Sequence, residues 1–188
     1  MQRSRLLVTV RAKHGLRQAT GSLIMTLGRI MNPEIDDYAT CSEAYATLRL
    51  YHVTATSEVV TTALALEPSE TQKHGDTYIA SNTTRTKKLN GWFLGSKKHV
   101  ASFDIAKHIT YILDSLNGKE ELLHSLIADG WRADIACMWD SAFGHGGPTL
   151  DPELLSRLAK LGVEVWFDIY FHGAYDLLEK EKNAFGGR

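Results

Sequence analysis

The sequence is poor in the residues that characterise disulfide-rich and metal-bound small proteins. Its 188 residues include two cysteines, Cys41 and Cys137. Two are too few for a disulfide framework, and their separation is not that of metal ligands. We interpret both as reduced thiols of a cytosolic protein. Cys137 falls on the apolar side of a predicted strand and is therefore expected to be a core thiol.

Long apolar runs and a strong net charge are also missing. No run approaches the roughly 20 residues that span a bilayer. The run from Leu6 to Val10 is interrupted by Thr9 and ends at Arg11, which is too short for the core of a signal peptide. The formal net charge is -1, so no overall field favours nucleic acid or anionic lipid. We expect a cytoplasmic protein without membrane contact, and nucleic acid is disfavoured as a partner.

Motifs that identify catalytic and cofactor sites are absent as well. GxxxxGK[ST] and GxGxxG do not occur, none of the eight histidines forms an HxxxH or HExxH pair, and Ser141 lacks a GxSxG setting. The sequence therefore predicts neither a metal nor a cofactor, and whether the chain is an enzyme stays open. Four carboxylates on neighbouring predicted strands form either an acid–base pair or a solvated sheet face: Asp134, Asp140, Glu164 and Asp168.

What the sequence does contain is a series of strand and helix patterns in the order β-α-β-β-α-α-β-α-β. Apolar and polar side chains alternate as in half-buried strands, or recur at helical spacing as in Ile105, Ile109, Ile112 and Leu116. The predicted strands are residues 46–53, 77–81, 91–97, 131–139 and 163–171, and the helices are 56–67, 104–116, 119–129 and 152–161. Pro68 is expected to end the first helix, and residues 83–90 are read as a polar connection. This order predicts an α+β fold with a ferredoxin-like mixed sheet of about five strands and helices on one face.

The composition and hydrophobic pattern of the sequence divide the chain into three parts. We predict an N-terminal arm or extension over residues 1–44, one α+β domain over residues 45–172 and a charged tail over residues 173–188. The arm contains the apolar stretches "LLVTV" and "LIMTL". Their burial would be favourable, so we expect at least one of them to dock on the domain or on a second subunit.

A Gly-rich loop, "SAFGHGGPTLD", precedes the helix at 152–161. Asp151 is a good N-cap with Pro152 at the first helical position, and the glycines allow the chain to reverse. These residues explain a turn between a strand and a helix. The alternative is an anion or small-ligand site made by the loop's backbone N–H groups. Its candidate residues are Asp140, Gly144, His145, Gly146, Gly147 and Thr149.

From this loop onward, "GHGGPTLDPELLSRLAKLGVEVWFDIYF" resembles the C-terminal part of the bacterial DUF4279 family. That family combines a Gly-rich loop, a Leu-rich helix and a strand ending in "DIY". The earlier stretches "ATLRLYHV", "LALEPS", "KHGD" and "GW" agree, so the resemblance spans residues 45–171. One departure is "TSEVVTTALAL", which lacks an Asp-Pro start to its helix. The family has no established activity, so the resemblance supports the domain's extent and transfers no site.

Alternation places aromatic and charged side chains together on the polar face of the predicted sheet. They are Arg49, Tyr51, Arg132, Asp134, Met138, Glu164, Trp166, Asp168 and Tyr170. Aromatic residues mixed with arginine and carboxylates are typical of interface centres, whereas RNA-binding sheets need basic surroundings. We therefore predict a small bacterial binding protein, immunity-like or regulatory, that meets a protein partner or a second copy through this face. The other possibilities are that the N-terminal arm covers the face, or that the Gly-rich loop makes the chain an enzyme or ligand sensor.

Overall fold

The computed structural model describes residue 38 and residues 40–171. The strands are β1 (Cys41–His52), β2 (Glu70–Gln72), β3 (Thr77–Ala80), β4 (Thr83–Thr86), β5 (Asn90–Gly95), β6 (Arg132–Ser141) and β7 (Glu164–Tyr170). The helices are α1 (Ser57–Leu64), α2 (Ile105–Ser115), α3 (Glu120–Ala128) and α4 (Pro152–Leu161). The tail at 173–188, and the arm apart from residue 38 and residues 40–44, lie outside the described residues. None of the helices described is long and apolar enough to cross a membrane.

Five strands form one mixed sheet in the order β2-β5-β1-β6-β7. The central strand β1 is antiparallel to both β5 and β6, and β2 is antiparallel to β5. The last strand, β7, runs parallel to β6 at the edge. The α+β class and the mixed sheet of five strands are confirmed.

The helices cover one face of this sheet. Helix α2 contacts β1 and β6, α1 contacts β5, and α3 and α4 contact the other helices. On β1, Leu48 and Leu50 are fully buried under the helices, while Arg49 and Tyr51 are only half-buried on the opposite side. Burial therefore follows the period of two that a strand imposes.

The core between sheet and helices is apolar and holds the side chains that helical spacing predicted. The α2 face of Ile105, Ile109, Ile112 and Leu116 is fully buried. Trp92 of β5 is buried among them, and its Nε1–H donates to Thr61 Oγ1 of α1 at 3.0 Å. Trp92 thus contributes its apolar area to the core while its one polar atom has a partner.

A buried polar network links the central strand to α2. The Ser96 hydroxyl accepts a hydrogen bond from the Ala46 N–H at 2.9 Å and lies 2.8 Å from His108 Nδ1. His108 Nε2 lies 2.8 Å from the carbonyl oxygen of Ser102. Because a carbonyl only accepts, Nε2 carries the proton, and the unprotonated Nδ1 accepts from the Ser96 hydroxyl, whose proton it shares with the Ala46 carbonyl oxygen at 3.0 Å. This network is structural, since Ser96 and His108 are almost completely buried.

The stretch at 83–90, predicted as a polar connection, is partly a strand. Residues 83–86 form β4, which pairs with β3 as a separate two-stranded sheet. Ser81 and Asn82 both have positive φ, 50° and 59°, as in the tight two-residue turns of β-hairpins. The hairpin is exposed along nearly its whole length, so no buried face imposed the alternation that would have predicted β4.

Two predicted boundaries also differ. Helix α1 ends at Leu64, not at Pro68, because Ala65 adopts a left-handed conformation with φ 48°. The Lys119 ammonium group donates to the Leu64 carbonyl oxygen at 2.5 Å and so satisfies an orphan group of the helix end. Strand β1 begins at Cys41, so it includes residues 41–44, which the sequence patterns placed in the arm.

Strand β7 is less buried than its alternation predicted. Val165 and Phe167 pack against the core. Ile169 and Phe171, expected on the same core face, are 40% and 44% exposed. β7 is the edge strand and pairs on one side only, with β6, so fewer neighbours cover the side chains at its end.

Candidate functional site

The sheet face opposite the helices, called the open face below, carries all the side chains that alternation predicted for it. Register places Arg49 of β1 beside Asp134 of β6, and Asp134 beside Glu164 of β7. Further along the strands, the paired residues are Tyr51 with Arg132, Ala136 with Trp166, Met138 with Asp168, and Asp140 with Tyr170. The placement of the predicted residues is therefore as expected, while their binding role stays a prediction.

Arg49 is the centre of the open face. Its guanidinium group donates to both carboxylate oxygens of Asp134, at 2.7 and 2.9 Å. It also lies over the Trp166 ring, 5.0 Å from its centroid, and 5.8 Å from that of Tyr51. Burial disfavours the guanidinium charge, but the bonds to Asp134 and the electrostatic attraction of Tyr51 and Asp134 together outweigh it and raise the pKa of Arg49. The planar group is thus held by a bidentate pair and two aromatic rings.

The aromatic side chains on this face contact one another and the neighbouring charges. Tyr51 meets Phe93 edge to face with centroids 5.4 Å apart, and burial raises the pKa of its hydroxyl. Gly91 makes room for this pair, since a Cβ there would lie 2.6 Å from Phe93 Cζ. At the β7 end, the Tyr170 hydroxyl donates to Asp168 Oδ2 at 3.0 Å and its pKa is raised by that bond.

A concavity of about 460 Å³ lies on the open face. Predicted residues line one side of it: Arg49, Tyr51, Trp166 and Asp168. The other lining residues that matter here were not predicted from the sequence, namely Tyr45, Glu70, Lys87, Phe93, Lys97 and Lys98. Extending the alternation of β1 back from residue 46 would have found Tyr45, and alternation in "GWFLG" would have found Phe93. The lysines flank β5 and carry no periodic signal.

The carboxylates considered for acid–base chemistry are engaged with donors. Asp134 accepts from Arg49, Asp168 from Tyr170, and Asp140 Oδ2 from the Ser42 hydroxyl at 3.0 Å. Glu164 is exposed at the start of β7. This arrangement is typical of a hydrogen-bonded sheet surface.

The Gly-rich loop is hydrogen-bonded to the segment just before β1. The Tyr38 hydroxyl donates to the Gly147 carbonyl oxygen at 2.8 Å and lies 2.9 Å from Thr149 Oγ1. The Ser141 hydroxyl donates to the His145 carbonyl oxygen at 2.9 Å. These contacts give the loop a structural role in closing the end of the sheet.

The helix start beyond the loop is as predicted. Asp151 is the N-cap of α4 and accepts from the Leu154 N–H at 2.8 Å, with Pro152 at the first helical position. Its carboxylate therefore occupies the place where an anion would meet the helix. Gly144 has a φ of 72°, and the ring of His145 stacks with exposed Phe143. Binding of a ligand by this loop stays a prediction.

The thiols and the metal-binding side chains show no cluster in the described part of the chain. Cys41 and Cys137 are free and buried, and burial raises the pKa of Cys137 to about 12. Across residues 40–171, no group of three or more His, Cys, Asp or Glu residues could hold a metal ion.

Comparison with known proteins places this domain in a family. The family model described as "Domain of unknown function (DUF4279)" matches residues 42–172. The chain belongs to the DUF4279 family. The match starts at the second residue of β1 and extends past β7, so it takes in the five-stranded sheet except for Cys41, together with its helices. A search of the curated proteins and a search of the solved structures each found no match.

Proposed function

We propose that this DUF4279 protein is a bacterial cytoplasmic binding protein, immunity-like or regulatory, whose open face contacts a protein partner. The observation that carries the proposal is the grouping of Arg49, Trp166 and Tyr51 around a concavity on the open face. Arginine, tryptophan and tyrosine are the residues enriched at the energetic centres of protein interfaces.

The exposure of the aromatic side chains supports the same proposal. Trp166 and Tyr170 are 42% and 43% exposed although they neighbour buried strands. A partner that covered them would remove apolar area from water, worth roughly 25 cal/mol per Å². The exposed charges near them, such as Arg132 and Glu164, would form the polar rim that interfaces share.

We also propose that the antiparallel strands form a ferredoxin-like core. β1, α1, β2, β5, α2 and β6 follow one another in the β-α-β-β-α-β order of that fold. Across the sheet these strands stand in the order β2-β5-β1-β6. In this description the β3–β4 hairpin and α3 are insertions, and α4 with β7 is an extension that widens the sheet.

The test is capture of partners with the tagged chain from its source cell, followed by affinity measurement with the purified partner. One variant is Trp166→Ala with Tyr170→Ala on the open face. The matched control is Leu122→Ala with Leu155→Ala, which removes two comparably exposed side chains from the helical side. We expect the partner to be lost from the first variant and retained by the control.

The identity of the captured protein separates two forms of the proposal. A different protein supports a heterologous partner, while recovery of untagged copies of the same chain supports self-association. If every partner is retained by the Trp166→Ala, Tyr170→Ala variant, the open face is not the docking surface.

A further inference from the structure

Positive charge is concentrated in one part of the sequence. Residues 77–103 contain five Lys and Arg residues and no Asp or Glu, although the formal net charge of the chain is -1. Strand β5 lies within this range, with Lys87 shortly before it and Lys97 and Lys98 shortly after it. The folded sheet brings these lysines to the same concavity on the open face.

Two of the four cations that line the concavity are neutralised by neighbouring carboxylates. Arg49 is paired with Asp134. Lys97 is paired with Glu43, which raises the pKa of the ammonium group, and it also lies 4.8 Å from the Tyr45 ring centroid. These two groups are therefore committed within the domain.

The other two cations, Lys87 and Lys98, have no ion pair with another residue in the range the structure describes. Lys87 lies over the Tyr78 ring, 4.4 Å from its centroid, which holds it at the wall of the concavity. The acidic groups in the same lining are Glu70 and Asp168, and the hydroxyl of Tyr170 already donates to Asp168. The concavity thus offers two ammonium groups that no carboxylate of the described residues pairs with, beside aromatic rings.

We propose, on the basis of the function proposed above, that the partner segment entering the concavity is an acidic peptide stretch. Its carboxylates pair with Lys87 and Lys98, and apolar side chains between them contact Phe93 and Trp166. Charge complementarity of this kind fixes the register of a partner and speeds its encounter. The aromatic floor supplies the apolar contact that ion pairs at a surface do not provide.

An acidic peptide fits the open face better than a nucleic acid does. A nucleic acid carries a charge at every nucleotide and needs continuous basic surroundings. Here Glu70 and Asp168 stand in the same lining as the lysines, and Glu164 is exposed on the same face. A peptide can place two carboxylates opposite the two lysines and uncharged side chains opposite the acidic residues of this face.

The experiment measures fluorescence anisotropy of labelled probes with the full-length chain at about 150 mM salt, where exposed charges are strongly screened. The probes are a short peptide of alternating Glu and Leu, the same peptide with Gln in place of Glu, and a single-stranded oligo(dT). The test variant is Lys87→Glu with Lys98→Glu. The control is Lys88→Glu with Lys160→Glu, which makes the same change in net charge at two exposed lysines outside the concavity.

We expect the Glu peptide to bind at least about tenfold more tightly than the Gln peptide, and the test variant to lose about tenfold in affinity. The control should lose no more than about threefold, because Lys88 and Lys160 are exposed to solvent and do not line the concavity. Lys87→Gln with Lys98→Gln should fall between wild type and the charge reversal. Circular dichroism and thermal unfolding of each variant establish that the loss is not one of folding.

Several outcomes overturn the proposal. These are no measurable binding of the Glu peptide, equal binding of the Glu and Gln peptides, or an equal loss in the test and control variants. Tighter binding of oligo(dT), with loss in the test variant, reassigns the concavity to nucleic acid. If a captured partner needs Trp166 and Tyr170 but tolerates the lysine reversals, the acidic segment is wrong while the open face remains the docking surface. If no partner depends on the open face, the proposed function itself fails.

Discussion

Replacing Ser96 by alanine should strongly destabilise the domain, although it removes a single oxygen atom. The substitution leaves the Ala46 N–H and His108 Nδ1 without the partner they have at 2.9 and 2.8 Å. The Ala46 carbonyl keeps its bond from the Ser96 N–H. Each buried polar group left unsatisfied costs about 1–3 kcal/mol. With some relaxation of the imidazole ring, we expect the free energy of unfolding to fall by about 2–4 kcal/mol.

The assay is equilibrium unfolding in denaturant, followed by tryptophan fluorescence, because Trp92, Trp131 and Trp139 are buried in this domain. The control is Ser125→Ala in α3, where an exposed hydroxyl donates to the Glu121 carbonyl oxygen at 2.9 Å. Water can replace that bond, so the control should change stability by no more than about 0.5 kcal/mol. A loss below about 1 kcal/mol for Ser96→Ala, or equal losses for both variants, would refute the account of the buried network.

Three further predictions concern titration, backbone strain and thiol reactivity. Burial lowers the pKa of His108 below 6.5, so the unfolded state takes up this proton at a higher pH than the folded state does. The free energy of unfolding should therefore fall as the pH drops below about 6.5. In His108→Gln this pH dependence should be weaker by up to about 1.4 kcal/mol per pH unit, and an unchanged slope would contradict this. Gly146→Ala should destabilise by about 1–3 kcal/mol, because φ is +91° and the new Cβ would lie 2.5 Å from Thr40 Oγ1. Gly147→Ala meets nothing within 4 Å and should be nearly neutral, so equal effects would contradict the strain. Cys137, with a pKa of about 12, should react with a thiol reagent only after unfolding, and rapid reaction in the native state would contradict its burial.

The open face could be predicted from the sequence because one side of each long strand is buried. Burial of Leu48 and Leu50 imposes a period of two, which places Arg49 and Tyr51 on the opposite side. The same period in β6 and β7 places Asp134 and Trp166 beside them. The helices and the Asp151 N-cap of α4 could likewise be predicted, because each depends on residues only a few positions apart in the sequence.

The β3–β4 hairpin, the lysines of the concavity and the buried hydrogen-bond network could not be predicted from the sequence. Each depends on contacts between residues far apart in the sequence or has no periodic pattern. The β3–β4 hairpin is exposed on both faces, so no hydrophobic alternation marks β4. Lys87 and Lys98 lie on either side of β5 in the sequence, and only the folded sheet brings both to the lining of one concavity. The buried pair of Ser96 and His108 looks in sequence like any two polar residues near a turn.

The most direct test of the central claim is photo-cross-linking from defined positions. A photoreactive phenylalanine analogue is placed at Trp166 on the open face, and separately at Leu155 on α4, which is 50% exposed. The account predicts that one protein is cross-linked from position 166 in the source cell and not from position 155. Cross-linking of that protein only from position 155, or equally from both, would contradict the claim that the open face is the docking surface.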